Sequence, residues 1–195
     1  MKKIMFNDKY GLTQAVLEGR KTMTRRFING NYTSIIISEG KYLGVIDDEE
    51  DYVRIMPKYK LGEVIAIAQS YSDCGNMPDY GLDEDGFPIM PKRSGYFNKM
   101  FVKADLMPHH IRITDVKVER LQDISNEDCL KEGVQKWVDV KNVKDVAKYG
   151  GYTNGSWDWF ETPREAFSTL IDEVSGKGTW DSNPFVWVYE FELIN

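Results

Sequence analysis

The clearest hydrophobic pattern lies near the end of the chain, where apolar and polar side chains alternate over residues 185–194. The apolar members are Phe185, Trp187, Tyr189, Phe191 and Leu193. A period of two residues predicts a β-strand that buries one face. Residues 110–121 alternate in the same way, but Ile111 and Ile113 have the opposite parity to Val116 and Val118. We therefore predict a long strand with a β-bulge near Thr114 or Asp115.

Shorter segments rich in β-branched and aromatic residues predict further strands. They are residues 3–6, 32–37, 42–46, 52–56 and 62–68. Three other segments have helical spacing and helix-capping residues. The first begins after Asn7 or Asp8, has Leu12, Ala15 and Val16 at helical spacing and ends at Gly19. The second begins after Ser125 and ends at Gly133. The third begins at Thr162-Pro163-Arg164-Glu165, which is a capping-box sequence with proline at the first helical position.

Six or seven strands and about three short helices, joined mostly by local hairpins, predict an α+β domain. We expect a small mixed β-barrel flanked by the helices. The chain of 195 residues has the length of one domain with insertions. Glycines and prolines interrupt the pattern over residues 70–100, and residues 134–161 are rich in tryptophan, tyrosine and glycine. We predict both segments as insertions, the second of which either stacks on a base or plugs one end of the barrel.

Composition excludes several classes of protein. No apolar run approaches the roughly 20 residues that a membrane-spanning helix needs. The first residues turn polar at Asn7 and lack the apolar segment of a signal peptide. The two cysteines form no Cys-x-x-Cys motif, and the adjacent His109 and His110 would point to opposite faces of a strand. We therefore expect a cytoplasmic protein with no metal, no cofactor and no membrane partner.

Positive charge is concentrated at the start of the chain. Residues 1–26 carry seven Lys and Arg against two Asp and Glu, a net charge of +5, whereas the remaining residues carry 18 against 29, a net charge of −11. A protein that holds a long nucleic acid usually has a broad basic face. The small cationic region favours a compact anionic or hydrogen-bonding ligand, although folding could extend it with later cations. Those cations are Lys58, Lys60, Lys92, Arg93, Lys99 and Lys103.

The densest part of this region is the stretch from Gly19 to Arg26, which has the sequence Gly-Arg-Lys-Thr-Met-Thr-Arg-Arg. A threonine hydroxyl becomes a nucleophile when a base removes its proton, and a desolvated lysine whose pKa has fallen is such a base. Lys21, Thr24 and Glu132 could supply the base, the nucleophile and an orienting acid. Because Lys21 and Thr24 have opposite parity, a straight strand through both would separate them.

The other polar residues of the stretch are candidates for ligand binding. Arginine side chains suit planar, bidentate recognition of a phosphate or of the acceptor edge of a base. The candidate ligand-binding residues are Arg20, Thr22, Arg25 and Arg26. Glu132 lies in the last turn predicted for its helix, where the helix dipole disfavours an acid, so we expect it to have a cationic partner.

The spacing Gly19-x-Lys21-x-x-Thr24-x-Arg26 resembles the signature of the ASCH domain, a member of the PUA-like superfamily. The family pattern is Gly-x-Lys-x-x-Glu-x-Arg, so that Thr24 stands where many members carry glutamate. The resemblance extends through other segments of the chain, but it leaves out the two predicted insertions. The segments that share the resemblance are the first strand and helix, residues 60–64, Met107-Pro108, residues 121–133 and residues 187–191.

The resemblance implies an open β-barrel with a cleft beside the signature that binds RNA or a nucleobase. One branch of the family, which carries threonine at the position of Thr24, removes acyl groups from the exocyclic nitrogen of cytidine nucleosides. In that branch the catalytic lysine, threonine and glutamate correspond to Lys21, Thr24 and Glu132. Three hypotheses follow: an RNA- or nucleotide-binding module, an amidohydrolase, and a protein-interaction domain whose cations pair with its own acidic loops.

Overall fold

A computed structural model describes residues 1–30, 32–38, 41–89, 94–138, 147–153 and 155–194. The strands are β1 (Lys3–Ile4), β2 (Met23–Phe27), β3 (Tyr32–Ser38), β4 (Lys41–Asp47), β5 (Tyr52–Val53), β6 (Val64–Ile67), β7 (His110–Arg120), β8 (Gln135–Val138), β9 (Ala147–Thr153), β10 (Ser156–Phe160) and β11 (Phe185–Ile194). The α-helices are α1 (Leu12–Leu17), α2 (Tyr71–Cys74), α3 (Asn126–Lys131), α4 (Pro163–Ser175) and α5 (Thr179–Ser182). Short 3₁₀ helices cover Asp8–Tyr10, Lys99–Phe101, Ala104–Leu106 and Leu121–Asp123.

The five-stranded sheet that carries the core has the order β1-β6-β7-β11-β2. β1 runs parallel to β6, and the other neighbours are antiparallel. Asp115 pairs with Glu190 and Ile113 pairs with Phe191, so Thr114 has no partner and forms a bulge. The predicted bulge is therefore confirmed, and it lets apolar side chains of both parities contribute to one strand.

The α+β class is confirmed, because helices accompany this mixed sheet and two smaller antiparallel sheets, β3-β4-β5 and β8-β9-β10. The described residues contain eleven strands, so the predicted number of six or seven is too low. The pattern did not predict β2, β8, β9 or β10. The three predicted helices are present as α1, α3 and α4, and two single-turn helices, α2 and α5, were not predicted. Ser125 and Thr162 cap α3 and α4 as the sequence indicates.

Both faces of β11 are buried, and this arrangement determines which way the neighbouring strand β2 points its side chains. Trp187 and Tyr189 belong to the core cluster that includes α1, whereas Val188 belongs to the cluster beneath α3 and α4. Thr24 pairs with Tyr189 and Arg26 with Trp187, so they share the first face. Arg25 pairs with Val188 and lies on the second.

The predicted insertion at residues 134–161 contains the β8-β9-β10 sheet, and its glycines serve packing. At Gly151, a Cβ atom would lie 2.8 Å from the carbonyl oxygen of Ala166, so α4 can approach β9 only where there is no side chain. At Gly150, a Cβ atom would overlap the ring of Trp157. The described part of the insertion therefore packs on α4.

None of the described helices is long and apolar enough to cross a membrane.

Candidate functional site

Lys21 lies in a turn that connects α1 to β2. The amides of Arg20 and Lys21 both donate to the carbonyl of Ala15 at 2.9 Å, and Gly19 takes a φ of +73° to make that turn. Thr22 is then held on both sides, because its amide donates to Lys131 and its carbonyl accepts from Phe191, each at 2.9 Å. Because β2 begins only at Met23, Lys21 is not part of the strand. The alternation of side chains along a strand therefore does not force Lys21 and Thr24 onto opposite faces.

The ammonium group of Lys21 is buried against Glu132. Its Nζ atom lies 2.6 Å from Oε2 of Glu132 and 2.6 Å from the carbonyl oxygen of the same residue. The second contact caps the end of α3, where a helix leaves carbonyl groups unpaired. The two side chains are only 2% and 6% exposed. Burial lowers the pKa of Lys21 below its ordinary value, and the attraction of Glu132 acts in the opposite direction.

Arg25 approaches the same carboxylate from the opposite side of β2. Its guanidinium lies 3.1 Å from Oε1 of Glu132, 2.6 Å from Glu119 and 3.3 Å from Asp128. Burial acts to lower the pKa of Arg25, but Glu132 and Glu119 outweigh it and the pKa is raised. The charge of Arg25 is therefore taken up by three carboxylates of the protein, with Glu132 shared between Lys21 and Arg25.

A cavity of about 610 Å³ opens beside this buried ion pair. Its polar lining includes Lys21, Thr24, Arg26 and Glu132, which come from β2, the turn before it and the end of α3. The apolar part of the lining includes four α4 residues at helical spacing. These residues are Phe167, Leu170, Ile171 and Val174. A concave apolar surface with a few convergent polar groups is the usual form of a small-molecule site.

Thr24 has a hydroxyl group that the protein itself does not use. The side chain is 4% exposed and lines the cavity, yet its hydroxyl forms no hydrogen bond with any described residue. The amine of Lys21 donates to Glu132 and not to this hydroxyl. Because the side chain lines the cavity and its hydroxyl has no partner among the described residues, the hydroxyl is available to a bound molecule.

The remaining predicted ligand-binding residues differ in their positions. Arg26 is half-buried, lines the cavity and donates from Nη2 to the carbonyl of Met5 at 2.6 Å. Arg25 also lines the cavity, although its guanidinium is held by the three carboxylates. The structure places Arg20 and Thr22 outside the cavity, with Arg20 exposed and paired with Glu18 at 2.6 Å.

Several cavity residues come from segments that carried no functional signal. Phe6 places its ring centre 5.9 Å from the Nζ atom of Lys21 and 5.8 Å from the guanidinium of Arg26. Lys99 reaches the cavity from the segment predicted as the first insertion, donating to Phe6 and pairing with Asp8 at 2.7 Å. The sequence indicates Lys99 only as one of several cations that could extend the basic region. The segment around it has no regular hydrophobic pattern from which its position could be predicted. Two others in that set, Lys92 and Arg93, lie outside the described residues.

Comparison with protein-family models, with curated proteins and with solved structures gave no match to this chain. Within the described residues, no group of three or more His, Cys, Asp or Glu side chains is placed to hold a metal ion.

Cys129 lies on α3 beside the ion pair, and the titration of its thiol should make the free energy of unfolding depend on pH. Burial raises the pKa of its thiol from 9.0 to about 12. Between these values the unfolded chain loses a proton that the folded protein keeps, so the stability present below pH 9 falls as the pH rises. From pH 8 to pH 10, the wild type should lose about 1 kcal/mol more unfolding free energy than Cys129→Ala.

Urea unfolding at the two pH values measures this difference. Cys74→Ala is the matched control, since Cys74 is half-buried, and it should follow the wild type. Equal losses in the wild type and in Cys129→Ala would contradict the prediction.

Proposed function

We propose that the cavity beside Lys21 and Thr24 binds a nucleobase-containing ligand, either as a free nucleoside or nucleotide or as one unpaired residue of an RNA. The observation that carries the proposal is the convergence of Lys21, Thr24 and Arg26 on one cavity that is also lined by apolar side chains of α4. A base offers polar edges for such groups and two apolar faces for the apolar side chains.

The size of the cavity supports a compact ligand. Its volume of about 610 Å³ lies within the range of roughly 300–1,000 Å³ that is usual for small-molecule sites. The protein has a net charge of −6, which does not favour an extended duplex. An RNA partner would therefore present a single splayed base to the cavity.

We also propose that the chain forms a PUA-like barrel, with the five-stranded sheet as its main wall. Long central strands and the bulge at Thr114 support this proposal, because bulges increase the bend that a barrel requires. Within the described residues, β1 and β2 are the edges of the sheet and do not pair with each other.

A steric block at the mouth of the cavity tests the binding proposal. Ser175 is exposed at the end of α4 and lines the cavity, so Ser175→Trp places a bulky ring there without disturbing the core. Isothermal titration calorimetry of the four ribonucleosides, their monophosphates and a short single-stranded RNA should detect at least one ligand. We expect Ser175→Trp to weaken its binding by at least about tenfold, which is about 1.4 kcal/mol.

Lys177→Trp is the control, because Lys177 is also exposed but does not line the cavity. It should bind as the wild type does. Absence of binding by the wild type to every probe would overturn the proposal, and equal affinity of Ser175→Trp would move the site elsewhere.

The unpartnered hydroxyl of Thr24 favours a second candidate, an amidohydrolase acting on acylated cytidine. Oγ1 of Thr24 would attack the acyl carbonyl while its proton passes to the neutral amine of Lys21. The exocyclic nitrogen would leave with that proton, and water would hydrolyse the threonine ester to release the acid. The lowered pKa of Lys21 favours the neutral amine that this role needs. The transfer requires the Lys21 amine to turn towards Thr24, while Glu132 anchors the lysine.

A further inference from the structure

A second cavity of about 470 Å³ lies next to the first. Met5, Arg26 and Phe27 line both cavities, so these residues form the wall between them. The hydrogen bond from Arg26 to the carbonyl of Met5 lies within this wall. A ligand that fills the first cavity would therefore meet the second one across Arg26.

The second cavity has an unusual charge for this acidic protein. Three cations line it, Lys3, Arg26 and Lys58, and its lining contains no aspartate or glutamate. The amine of Lys3 donates to two backbone carbonyls, and Arg26 donates to one. None of the three cations forms an ion pair with a described carboxylate, in contrast to Lys21, Arg25 and Lys99. Positive charge that the protein leaves unpaired in a concave site attracts an anion.

Buried tyrosines hold the backbone of two of these cations in place. The hydroxyl of Tyr59 donates to the carbonyl of Lys3 at 3.0 Å, and the amide of Lys58 donates to the hydroxyl of Tyr189 at 3.1 Å. The two rings contact each other edge to face, and the amine of Lys58 lies 5.3 Å from the centre of the Tyr59 ring. Both tyrosines are nearly inaccessible, so they fix the backbone of Lys3 and Lys58 beside the second cavity.

We propose that the second cavity binds a phosphate group of the ligand whose base occupies the first cavity, so that the ligand is a nucleotide rather than a nucleoside. This inference rests on the proposed function. The phosphate of a nucleotide is one sugar away from its base, and the two cavities adjoin at Met5, Arg26 and Phe27. Arg26 would lie between base and phosphate, and Lys58 would contact the phosphate oxygens. Lys3, whose amine donates to the carbonyls of Met100 and Val102, would add its positive charge to the cavity.

The chemistry of a phosphate next to a nucleoside is shared by free nucleotides and by RNA. Calorimetric titrations should therefore include each nucleoside, its 5′- and 3′-monophosphates and a single-stranded pentanucleotide of the preferred base. We expect a monophosphate to bind at least about tenfold more tightly than its nucleoside, because charge-assisted hydrogen bonds are among the strong ones. A further gain for the pentanucleotide would identify RNA as the source of the phosphate, and no further gain would identify the free nucleotide.

Lys58→Met tests the role of the second cavity directly, because it removes the charge and keeps an apolar side chain of similar length. It should reduce the preference for the phosphorylated ligand by about three- to tenfold and leave the nucleoside affinity unchanged. Lys177→Met removes the same charge at an exposed position outside both cavities and should change neither affinity.

The outcomes separate this inference from the proposal on which it rests. If nucleosides bind and their monophosphates bind no more tightly, the second cavity is not a phosphate site, while the function of the first cavity stands. If Lys58→Met and Lys177→Met reduce the preference equally, the effect is one of net charge and the inference is wrong. If neither nucleosides, monophosphates nor the pentanucleotide bind, the proposed function itself fails.

Discussion

Glu132→Gln is expected to lower the free energy of unfolding by about 3–5 kcal/mol, which is the usual effect of removing one partner from a buried ion pair. The carboxylate of Glu132 contacts Lys21 at 2.6 Å and Arg25 at 3.1 Å, and the three side chains are at most 6% exposed. Glutamine keeps the shape of the side chain but removes its charge. Both cations would then remain buried with less compensation, Lys21 with none except the backbone carbonyl.

Urea unfolding at pH 7 measures this loss, with Glu84→Gln as the matched control. Glu84 is exposed and has no ion-pair partner among the described residues, so its substitution should change the unfolding free energy by less than about 0.5 kcal/mol. Adding Lys21→Met to Glu132→Gln should recover part of the loss, with a coupling energy of about 1–3 kcal/mol. A loss below about 1 kcal/mol, or simple additivity of the two substitutions, would show that the pair is not stabilising the fold.

The long strands and helix caps could be predicted because the information for them is local. Alternation over residues 185–194 places β11 at its observed bounds. The change of parity between Ile113 and Val116 predicts the bulge, and the sequence from Thr162 to Glu165 predicts the start of α4. In each case a few neighbouring residues are enough to determine the backbone.

The second insertion could not be predicted as a sheet for a physical reason. Its strands have glycine where β9 meets α4 and Trp157, and glycine has low intrinsic preference for strands. What stabilises these strands is contact with a helix that follows them in the chain. Such tertiary contacts override local propensity, and they cannot be read from the segment alone.

The cationic partner of Glu132 could be predicted from the sequence, whereas the different positions of the two neighbouring arginines could not. An acid at the end of α3 is disfavoured by the helix dipole and therefore needs a cation, and the structure places both Lys21 and Arg25 beside it. Arg25 and Arg26 are adjacent in the sequence, but their side chains lie on opposite faces of β2. The side chain of Arg25 meets Glu119 and Asp128, which come from distant positions in the chain. Only the fold therefore distinguishes Arg25, which forms ion pairs within the protein, from Arg26, which lines both cavities.

For the proposed amidohydrolase, Thr24→Val is expected to abolish activity while leaving the fold unchanged. Valine has a methyl group where threonine has its hydroxyl, and this hydroxyl forms no hydrogen bond with a described residue. The midpoint of thermal unfolding should therefore change little. Turnover of N4-acetylcytidine, measured as release of acetate, should fall by at least about 10³-fold, because no other group replaces the nucleophile. Thr24→Ser keeps a hydroxyl at the same position and should retain measurable turnover.

The pH dependence of that turnover separates a catalytic Lys21 from one that only stabilises the site. The neutral amine is the active base, so kcat/KM should rise with pH below the lowered pKa of Lys21 and become constant above it. Glu132→Gln removes an attraction that opposes this lowering, so the rise should shift to lower pH in any folded fraction that remains. Equal rates for the wild type and Thr24→Val, or no acetate release by either, would exclude the hydrolase. Calorimetric binding of the same ligand to Thr24→Val would then leave the cavity as a binding site alone.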